Sequence, residues 1–145
     1  MSDFHLNEFL PYLLNQASET TGPTFADLYK SKHGLLRTEW KVLAHLGELG
    51  PLSARDICAL SKTHKTKISR AVFALETKRL LQRAQNANDR RFETLSLTKM
   101  GKTKYDAICR DAMAHNKNLR DQIGAEAFND LIAILQKIAR IKANA

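Results

Sequence analysis

Apolar residues recur at helical spacing at both ends of the chain. Near the N-terminus they predict an amphipathic helix that the Gly22-Pro23 pair kinks or ends, with a stripe of Leu6, Phe9, Leu10, Leu13, Leu14 and Ala17. A last helix is predicted from about Ala125 to the end, with a stripe of Phe128, Leu131, Ile132, Leu135, Ile138 and Ala139 and a second pair, Ile134 and Ile141. A helix apolar over so much of its circumference is either deeply buried or pairs with another chain.

Two further helices are predicted between residues 34 and 62. The first follows Gly34, has Thr38 as its expected N-cap and stops at Gly50-Pro51. Its expected core residues are Trp40, Leu43 and Leu46. The second begins at Ser53, which forms a variant of the capping box with Asp56. Its expected inward residues are Ile57 and Leu60.

The next predicted helix is two-faced. It opens near Thr63 or His64 and runs to about Arg79. At 100° per residue one side is apolar and is expected to face the core, and it consists of Ile68, Ala71, Val72 and Leu75. The other side is mostly polar and basic, and it carries Thr66, Lys67, Ser69, Arg70 and Phe73.

A β-hairpin follows. Residues 81–85 and 92–97 alternate as strands do, and the link between them is rich in Asn and Asp, which favour turns. Thr98 is then expected to cap a helix that runs through Tyr105 towards Leu119. The predicted fold is therefore mainly α-helical with a small β-hairpin wing, a winged helix-turn-helix with N- and C-terminal helices.

The positive charge of the chain is concentrated in one segment. The 145 residues carry a formal net charge of +8, and the length suits one domain. Residues 53–104 hold 13 Lys and Arg against 4 Asp and Glu, so this segment contains the whole excess. Such a patch is the expected footprint of a phosphate-binding surface, although a solvated basic face has the same composition.

Several classes of protein fit the sequence poorly. No apolar stretch approaches the roughly 18 residues of a membrane span, and no leader is visible, so a soluble, cytoplasmic protein is expected. Cys58 and Cys109 fit neither a disulfide framework nor a zinc site and are expected to be small buried residues. No cofactor and no metal are expected. No catalytic motif is visible, which argues against a small enzyme.

The element order assigns roles to the basic residues. Two helices joined by a tight turn and followed by a hairpin are typical of a winged helix-turn-helix, whose second helix enters the major groove of double-stranded DNA. On that helix Lys67 and Arg70 are candidates for guanine edges or phosphate, and Thr66 and Ser69 for base edges or phosphates. Lys65 belongs to the same candidate set. The alternative is a solvated basic helix, against which the exposed aromatic Phe73 argues slightly.

The hairpin tip carries Asp89, Arg90 and Arg91. One arginine is expected to insert into the narrow minor groove, where the negative potential is enhanced, while Asp89 pairs with its neighbour. The alternative is a simple polar turn.

These motifs together resemble the MarR family of bacterial transcriptional regulators over nearly the whole chain. The resemblance rests on Arg37-Thr38-Glu39-Trp40-Lys41-Val42-Leu43, Pro51-Leu52-Ser53, Lys65-Thr66-Lys67-Ile68-Ser69-Arg70-Ala71-Val72, Leu75-Glu76, Asp89-Arg90-Arg91 and Leu97-Thr98-Lys99-Met100-Gly101. It implies a homodimeric regulator, expected to be a repressor, with a winged lobe at residues 36–100 and a helical dimerisation region at residues 1–33 and 101–145. It further implies a pseudo-palindromic operator and often a small aromatic acid that weakens DNA binding.

The chain departs from the family pattern in two places. Arg79 stands where the family usually has glycine after the recognition helix, so either this helix ends differently or the wing is tilted. No basic residue lies between His5 and Lys30 to hold an acid effector, so the carboxylate partner would be Arg37, His5 or His115. Cys58 is expected to be structural, because the redox-sensing members use a cysteine near the N-terminus.

An aromatic carboxylate effector, if one exists, is expected between the dimerisation helices and the lobe. The residues predicted to converge there are Tyr12, Asn15, Arg37 and Trp40. The ring would pack on the two aromatic residues, and the guanidinium would pair with the carboxylate. The competing interpretation is a winged-helix module for protein or RNA contacts, without an effector.

Overall fold

A computed structural model describes residues 2–85, 88–89 and 93–142. A 3₁₀ turn (Leu6–Glu8) and a π-helical turn (Leu28–Lys32) accompany seven α-helices and two strands. In chain order these are α1 (Leu10–Thr21), α2 (Pro23–Asp27), α3 (Arg37–Leu49), α4 (Ala54–Ser61), α5 (Lys65–Thr77), β1 (Leu81–Gln85), β2 (Glu93–Leu97), α6 (Lys99–Ile123) and α7 (Ala125–Ala139). The predicted fold class is confirmed. Within the described part, no helix combines the length and apolar character that crossing a membrane requires.

The core lies between α3, α4 and α5 and is closed by the hairpin and α6. The predicted inner face of α5 is confirmed, because Ile68, Ala71, Val72 and Leu75 are all buried. They pack with residues of the neighbouring elements, which are Leu35, Val42, Leu43, Leu46, Ile57, Leu80, Leu81, Leu95 and Ile108. Trp40 is half-buried at the edge of this core.

Two expectations about single helix residues are wrong. Leu60 is 54% exposed, because the short helix α4 turns mainly Ile57 towards the core. Thr38 lies inside α3, whose N-cap is Leu36, a residue without a capping side chain. Burial of Leu35, whose N–H donates to the Tyr29 carbonyl at 2.9 Å, fixes where α3 begins.

The two cysteines are half-buried rather than buried. Cys58 packs against the core from α4. Cys109 lies one turn after Tyr105 on α6, and a hydrogen bond between their side chains, with burial, raises the pKa of Tyr105 to about 12. The Cys58 thiol therefore contributes to packing at the edge of the core, and Cys109 contacts Tyr105, which packs against the core.

Two predicted caps are confirmed. The Ser53 hydroxyl accepts from the Asp56 N–H at 3.0 Å, and the Asp56 carboxylate accepts from the Ser53 N–H at 3.3 Å. The Thr98 hydroxyl accepts from the Gly101 N–H at 3.0 Å at the start of α6. Each cap satisfies an N–H that would otherwise lack a partner at a helix start.

The wing is an antiparallel hairpin in which Leu81 pairs with Leu97 and Gln85 with Glu93. Leu52, before α4, adds a short bridge to Leu95, with N–H···O distances of 3.0 and 2.7 Å. This bridge ties the wing to the start of the helix-turn-helix. Residues 86–87 and 90–92 lie outside the described residues. The predictions for Arg90, Arg91 and the first residue of the second strand fall in this part of the chain.

The junction between α5 and β1 retains a left-handed residue although glycine is absent. Arg79 has φ +62°, and the N–H of Leu80 donates to the Leu75 carbonyl at 2.9 Å. The Thr98 hydroxyl donates to the Arg79 carbonyl at 2.7 Å. A Cβ on Gly101 would lie 1.9 Å from the Leu80 carbonyl oxygen, so the start of α6 packs directly on this junction.

The terminal helices leave apolar side chains uncovered. Phe128 is buried, whereas the rest of the two predicted stripes is largely exposed, including Leu6, Phe9, Leu10, Leu13, Leu131, Ile132, Ile134, Leu135 and Ile141. The C-terminal helix begins at Ala125 as predicted and ends at Ala139. One chain alone therefore presents an apolar surface formed by both of its ends.

We predict that Arg79→Gly stabilises the chain relative to Arg79→Ala by about 1 kcal/mol. Both variants remove the guanidinium, but only glycine adopts φ +62° without steric cost. Urea unfolding at one protein concentration measures the difference. Equal stability of the two variants would show that the left-handed backbone costs nothing here.

Candidate nucleic-acid interface

The structure brings the predicted recognition residues together on the outer face of α5. Lys65, Thr66, Lys67, Ser69 and Arg70 are all exposed. Phe73 continues this face and is 66% exposed. The inner face of the same helix is buried, so side chains on the outer face have defined directions relative to the lobe. The result is a basic, hydroxyl-bearing helix surface about two turns long.

The N-terminus of α5 is capped by a histidine. His64 has extended backbone angles, and its Nδ1 accepts from the Thr66 N–H at 3.2 Å. In the preceding turn Lys62 adopts a left-handed conformation, and its ammonium donates to the Ala139 carbonyl of α7 at 2.7 Å. The start of α5 is thus connected to the C-terminal helix.

The other end of α5 is connected to α3 by an ion pair that sequence reasoning missed. The Lys78 ammonium donates to the carboxylate of Glu39, which is 4% exposed, and to the Gly34 carbonyl at 3.0 Å. The two partners are 39 residues apart, and neither belongs to a motif that would have paired them. This contact fixes the end of the recognition helix against the segment that enters the lobe.

Arg83 connects α5 to the wing. Its guanidinium contacts Glu76 on α5 at 3.2 Å and Glu93 on β2 at 3.0 Å. The hydrogen bond to Glu93 is the largest cause of the raised pKa of Arg83. Asp89 lies at the described part of the hairpin tip. One arginine on β1 therefore joins α5 to the opposite strand of the wing.

A cavity of about 500 Å³ lies between the first two helices and α3. Phe25 forms its aromatic wall, edge-to-face with Trp40 at 5.5 Å and with Tyr29 at 5.6 Å. The full lining is Ser18, Glu19, Gly22, Pro23, Phe25, Ala26, Asp27, Tyr29, Lys30, Arg37, Trp40 and Lys41. Of the predicted effector residues, the cavity includes Arg37 and Trp40. Sequence reasoning missed Phe25 and Tyr29, which lie in helical turns without a motif.

The remaining effector candidates lie elsewhere. Tyr12 is half-buried and Asn15 is exposed on α1, and neither lines this cavity. His115 stacks on Phe25 with a centroid distance of 5.7 Å, and its Nε2 donates to the Thr21 carbonyl at 2.8 Å. His5 is exposed before the 3₁₀ turn. Among the three basic candidates, only Arg37 lines the cavity.

The segment that forms this cavity is anchored to α6 by an acidic residue. The Asp111 carboxylate contacts the buried His33 ring at 2.7 Å and the Lys32 ammonium at 3.0 Å. The hydrogen bond from His33, followed by that from Lys32, lowers the pKa of Asp111. The entry to the lobe is therefore held from α6 as well as from α5.

Fold and surface define a winged helix-turn-helix protein with a basic recognition helix. The MarR family model matches residues 33–91. YwoH of Bacillus subtilis strain 168, an HTH-type transcriptional regulator, is 27% identical over 104 residues, which are 72% of this chain and 74% of YwoH. Residues 33–91 therefore resemble the MarR family of DNA-binding transcriptional regulators, which are not enzymes.

Solved structures show the same fold over almost the whole chain. NadR in complex with 4-hydroxyphenylacetate has a TM-score of 0.83 at 22% identity, with 98% of each chain covered. The MepR–DNA complex from S. aureus has a TM-score of 0.77 at 22% identity, with 90% of this chain and 96% of MepR covered. At these identities the likeness concerns the fold alone.

We predict that Lys78→Met destabilises the lobe by about 2–3 kcal/mol, because it leaves the Glu39 carboxylate buried without its partner. The matched control is Lys117→Met, whose partner Asp121 lies one turn away on α6 and is largely exposed. That change is expected to cost less than about 0.5 kcal/mol. Urea unfolding measures both. Equal losses would contradict the role assigned to the buried pair.

Proposed function

We propose that the chain is a repressor that binds a pseudo-palindromic operator as a homodimer. The observation that carries this proposal is the exposed basic face of α5. The opposite face of this helix is buried in the core, and contacts with other elements hold both of its ends. Residues 36–100 form the DNA-binding lobe, and residues 1–33 and 101–145 form the dimerisation region. The family and the fold support this division.

The recognition helix enters the major groove. Arg70 and Lys67 bind guanine edges or phosphates, while Thr66 and Ser69 contact base edges or phosphates. Lys65, at the first position of α5, lies where the backbone N–H groups of a helix start also favour phosphate. MepR, of the same fold, was solved as a complex with DNA.

The wing approaches the minor groove beside the recognition helix. Arg90 or Arg91 inserts there, and Asp89 orients the tip. The contacts of Arg83 with Glu76 and Glu93 support this arrangement, because they restrict how far the hairpin swings from α5.

Dimerisation is supported by the uncovered apolar side chains of α1 and α7. A helix with apolar side chains on two faces, exposed in one chain, is typical of an interface between copies. A dimer places two recognition helices about 34–36 Å apart, one turn of DNA, on the two half-sites.

The effector is a small aromatic acid that occupies the cavity between the first helices and α3. Its ring packs on Trp40 and Phe25, and its carboxylate pairs with Arg37. NadR, which has the same fold, was solved with 4-hydroxyphenylacetate. An acid bound more tightly to the DNA-free form releases the operator. Tyr12 and Asn15, outside this cavity, remain predicted contacts from α1.

We predict different signatures for base and phosphate contacts. If Arg70 or Lys67 reads a base, its change to Ala costs about 1–3 kcal/mol and relaxes preference at one position, whereas loss of a phosphate contact weakens all sequences alike. Gel shifts on the region upstream of its own gene, with salt titration, measure both. Unaltered binding in both variants would contradict the assigned interface and favour the protein- or RNA-binding alternative.

We predict that light scattering at micromolar concentration gives twice the 16.4 kDa chain mass. Ile134→Glu, on the exposed face of α7, is expected to shift the mass towards the monomer because it places a charge in an apolar interface. Leu49→Glu is the control, since Leu49 is equally exposed but ends α3 in the lobe. A stable wild-type monomer would remove the dimer and the palindromic operator.

We predict that calorimetry with benzoates and hydroxycinnamates detects binding that Arg37→Ala weakens. Because the coupling between two binding sites is reciprocal, operator DNA must weaken the binding of the ligand. The factor is the same as that by which the ligand weakens the binding of DNA. Binding that ignores the Arg37 change would exclude this carboxylate partner. Absence of binding by the whole panel would contradict an aromatic-acid effector.

A further inference from the structure

Several charged groups of the lobe have a partner of opposite charge. Lys78 pairs with Glu39, and Arg83 lies between Glu76 and Glu93. Outside the lobe, Lys32 pairs with Asp111 of α6. This pattern makes an unpaired group of cations informative, because crowding like charges costs free energy unless an anion compensates it.

One such group lies between α3 and the start of α5. It consists of Arg37 and Lys41, one turn apart on α3, and Lys67 on the first turn of α5. Within the described residues, none of these three side chains forms an ion pair, and Glu39, the acidic residue between the first two, is committed to Lys78. The three cations therefore lie together without an ion-pair partner, although the carboxylates of Glu19 and Asp27 line the same cavity as Arg37 and Lys41.

Lys41 is at the centre of this group. Its side chain is half-buried, and its ammonium donates to the Thr63 hydroxyl, in the turn before α5, at the long distance of 3.4 Å. Burial is the largest cause of its lowered pKa, followed by the charges of Arg37 and Lys67. The ammonium is thus partly desolvated and poorly satisfied by the protein itself.

The group also connects two concave surfaces. Arg37 and Lys41 line the aromatic cavity. Lys67 and Arg70 line a second cleft of about 320 Å³, with Thr38 and Glu39 on its α3 side. A small anion fits a position between the two concave surfaces and is attracted by the three positive charges. An apolar ligand gains nothing from contact with them.

We propose that Arg37, Lys41 and Lys67 form a binding site for one oxyanion, a phosphate or carboxylate group, held between α3 and the start of α5. The Thr63 hydroxyl lies beside the Lys41 ammonium and offers a neutral partner. The oxyanion has two possible sources, a backbone phosphate of bound DNA and a free small anion. The inference deepens the proposed function, in which Arg37 is already the partner of the effector carboxylate, and its DNA arm rests on the proposed DNA binding.

The free-anion arm uses the wild-type protein without DNA. The pKa of Lys41 is followed by ¹³C NMR of the lysine Cε, with the signal assigned through Lys41→Arg, in chloride and in inorganic phosphate at equal ionic strength. A bound anion favours the charged form, so phosphate is expected to raise the pKa of Lys41. The Cε signals of lysines outside the site serve as the reference. Because no variant is titrated, a folding defect cannot produce this result.

The DNA arm compares the salt dependence of binding to a duplex. If a backbone phosphate occupies the site, Lys41→Gln lowers the slope of log K against log salt by about one, equally for specific and random sequences. Lys41→Arg is expected to retain the slope. Arg110→Gln is the matched control, since it removes one exposed positive charge from α6. Thermal unfolding confirms that each variant is folded.

The outcomes distinguish the two sources of the oxyanion, and they distinguish failure of the oxyanion site from failure of the proposed function. A raised pKa in phosphate supports a free oxyanion, and a reduced slope supports the DNA backbone. An unchanged pKa together with an unchanged slope overturns the site. If the wild type binds no DNA, the proposed function fails, while the phosphate titration still decides the oxyanion site.

Discussion

The structure depends on the packing of α5 against α3. The inner face of α5 contributes Ile68, Val72 and Leu75 to a buried core, and burial of each such side chain is worth about 1.5–3 kcal/mol. Packing alone leaves a helix free to slide by small amounts. The pair between Lys78 and Glu39 and the Arg83 bridge oppose such movement at the end of α5. A recognition helix held in this way keeps its outer side chains in fixed positions.

Charge is used in two ways in this lobe. Where a cation has an architectural task it is paired with a carboxylate, as Lys78 is with Glu39. On the outer face of α5, and around Lys41, cations lack such partners in the described part of the chain. Unpaired cations on a rigid support attract polyanions at low cost, because little ordering is needed on binding.

The sequence predicted what local periodicity determines. The two faces of α5 and the caps at Ser53 and Thr98 follow from spacing and from side-chain hydrogen bonding within a few residues. The start of α3 was missed, because burial of Leu35 overrides the capping preference of Thr38. Pairs such as Glu39 and Lys78, and the aromatic wall at Phe25, depend on tertiary contacts that no local pattern encodes.

The central claim is that the outer face of α5 is the surface that binds DNA. Amide chemical-shift mapping during titration with a DNA duplex tests it most directly, since it observes the backbone amides along the chain in one experiment. The account predicts that the largest perturbations fall on residues 63–73 and on the wing, with smaller changes at the cations of α3. Perturbations confined to α1 and α7, with α5 unaffected, would contradict it.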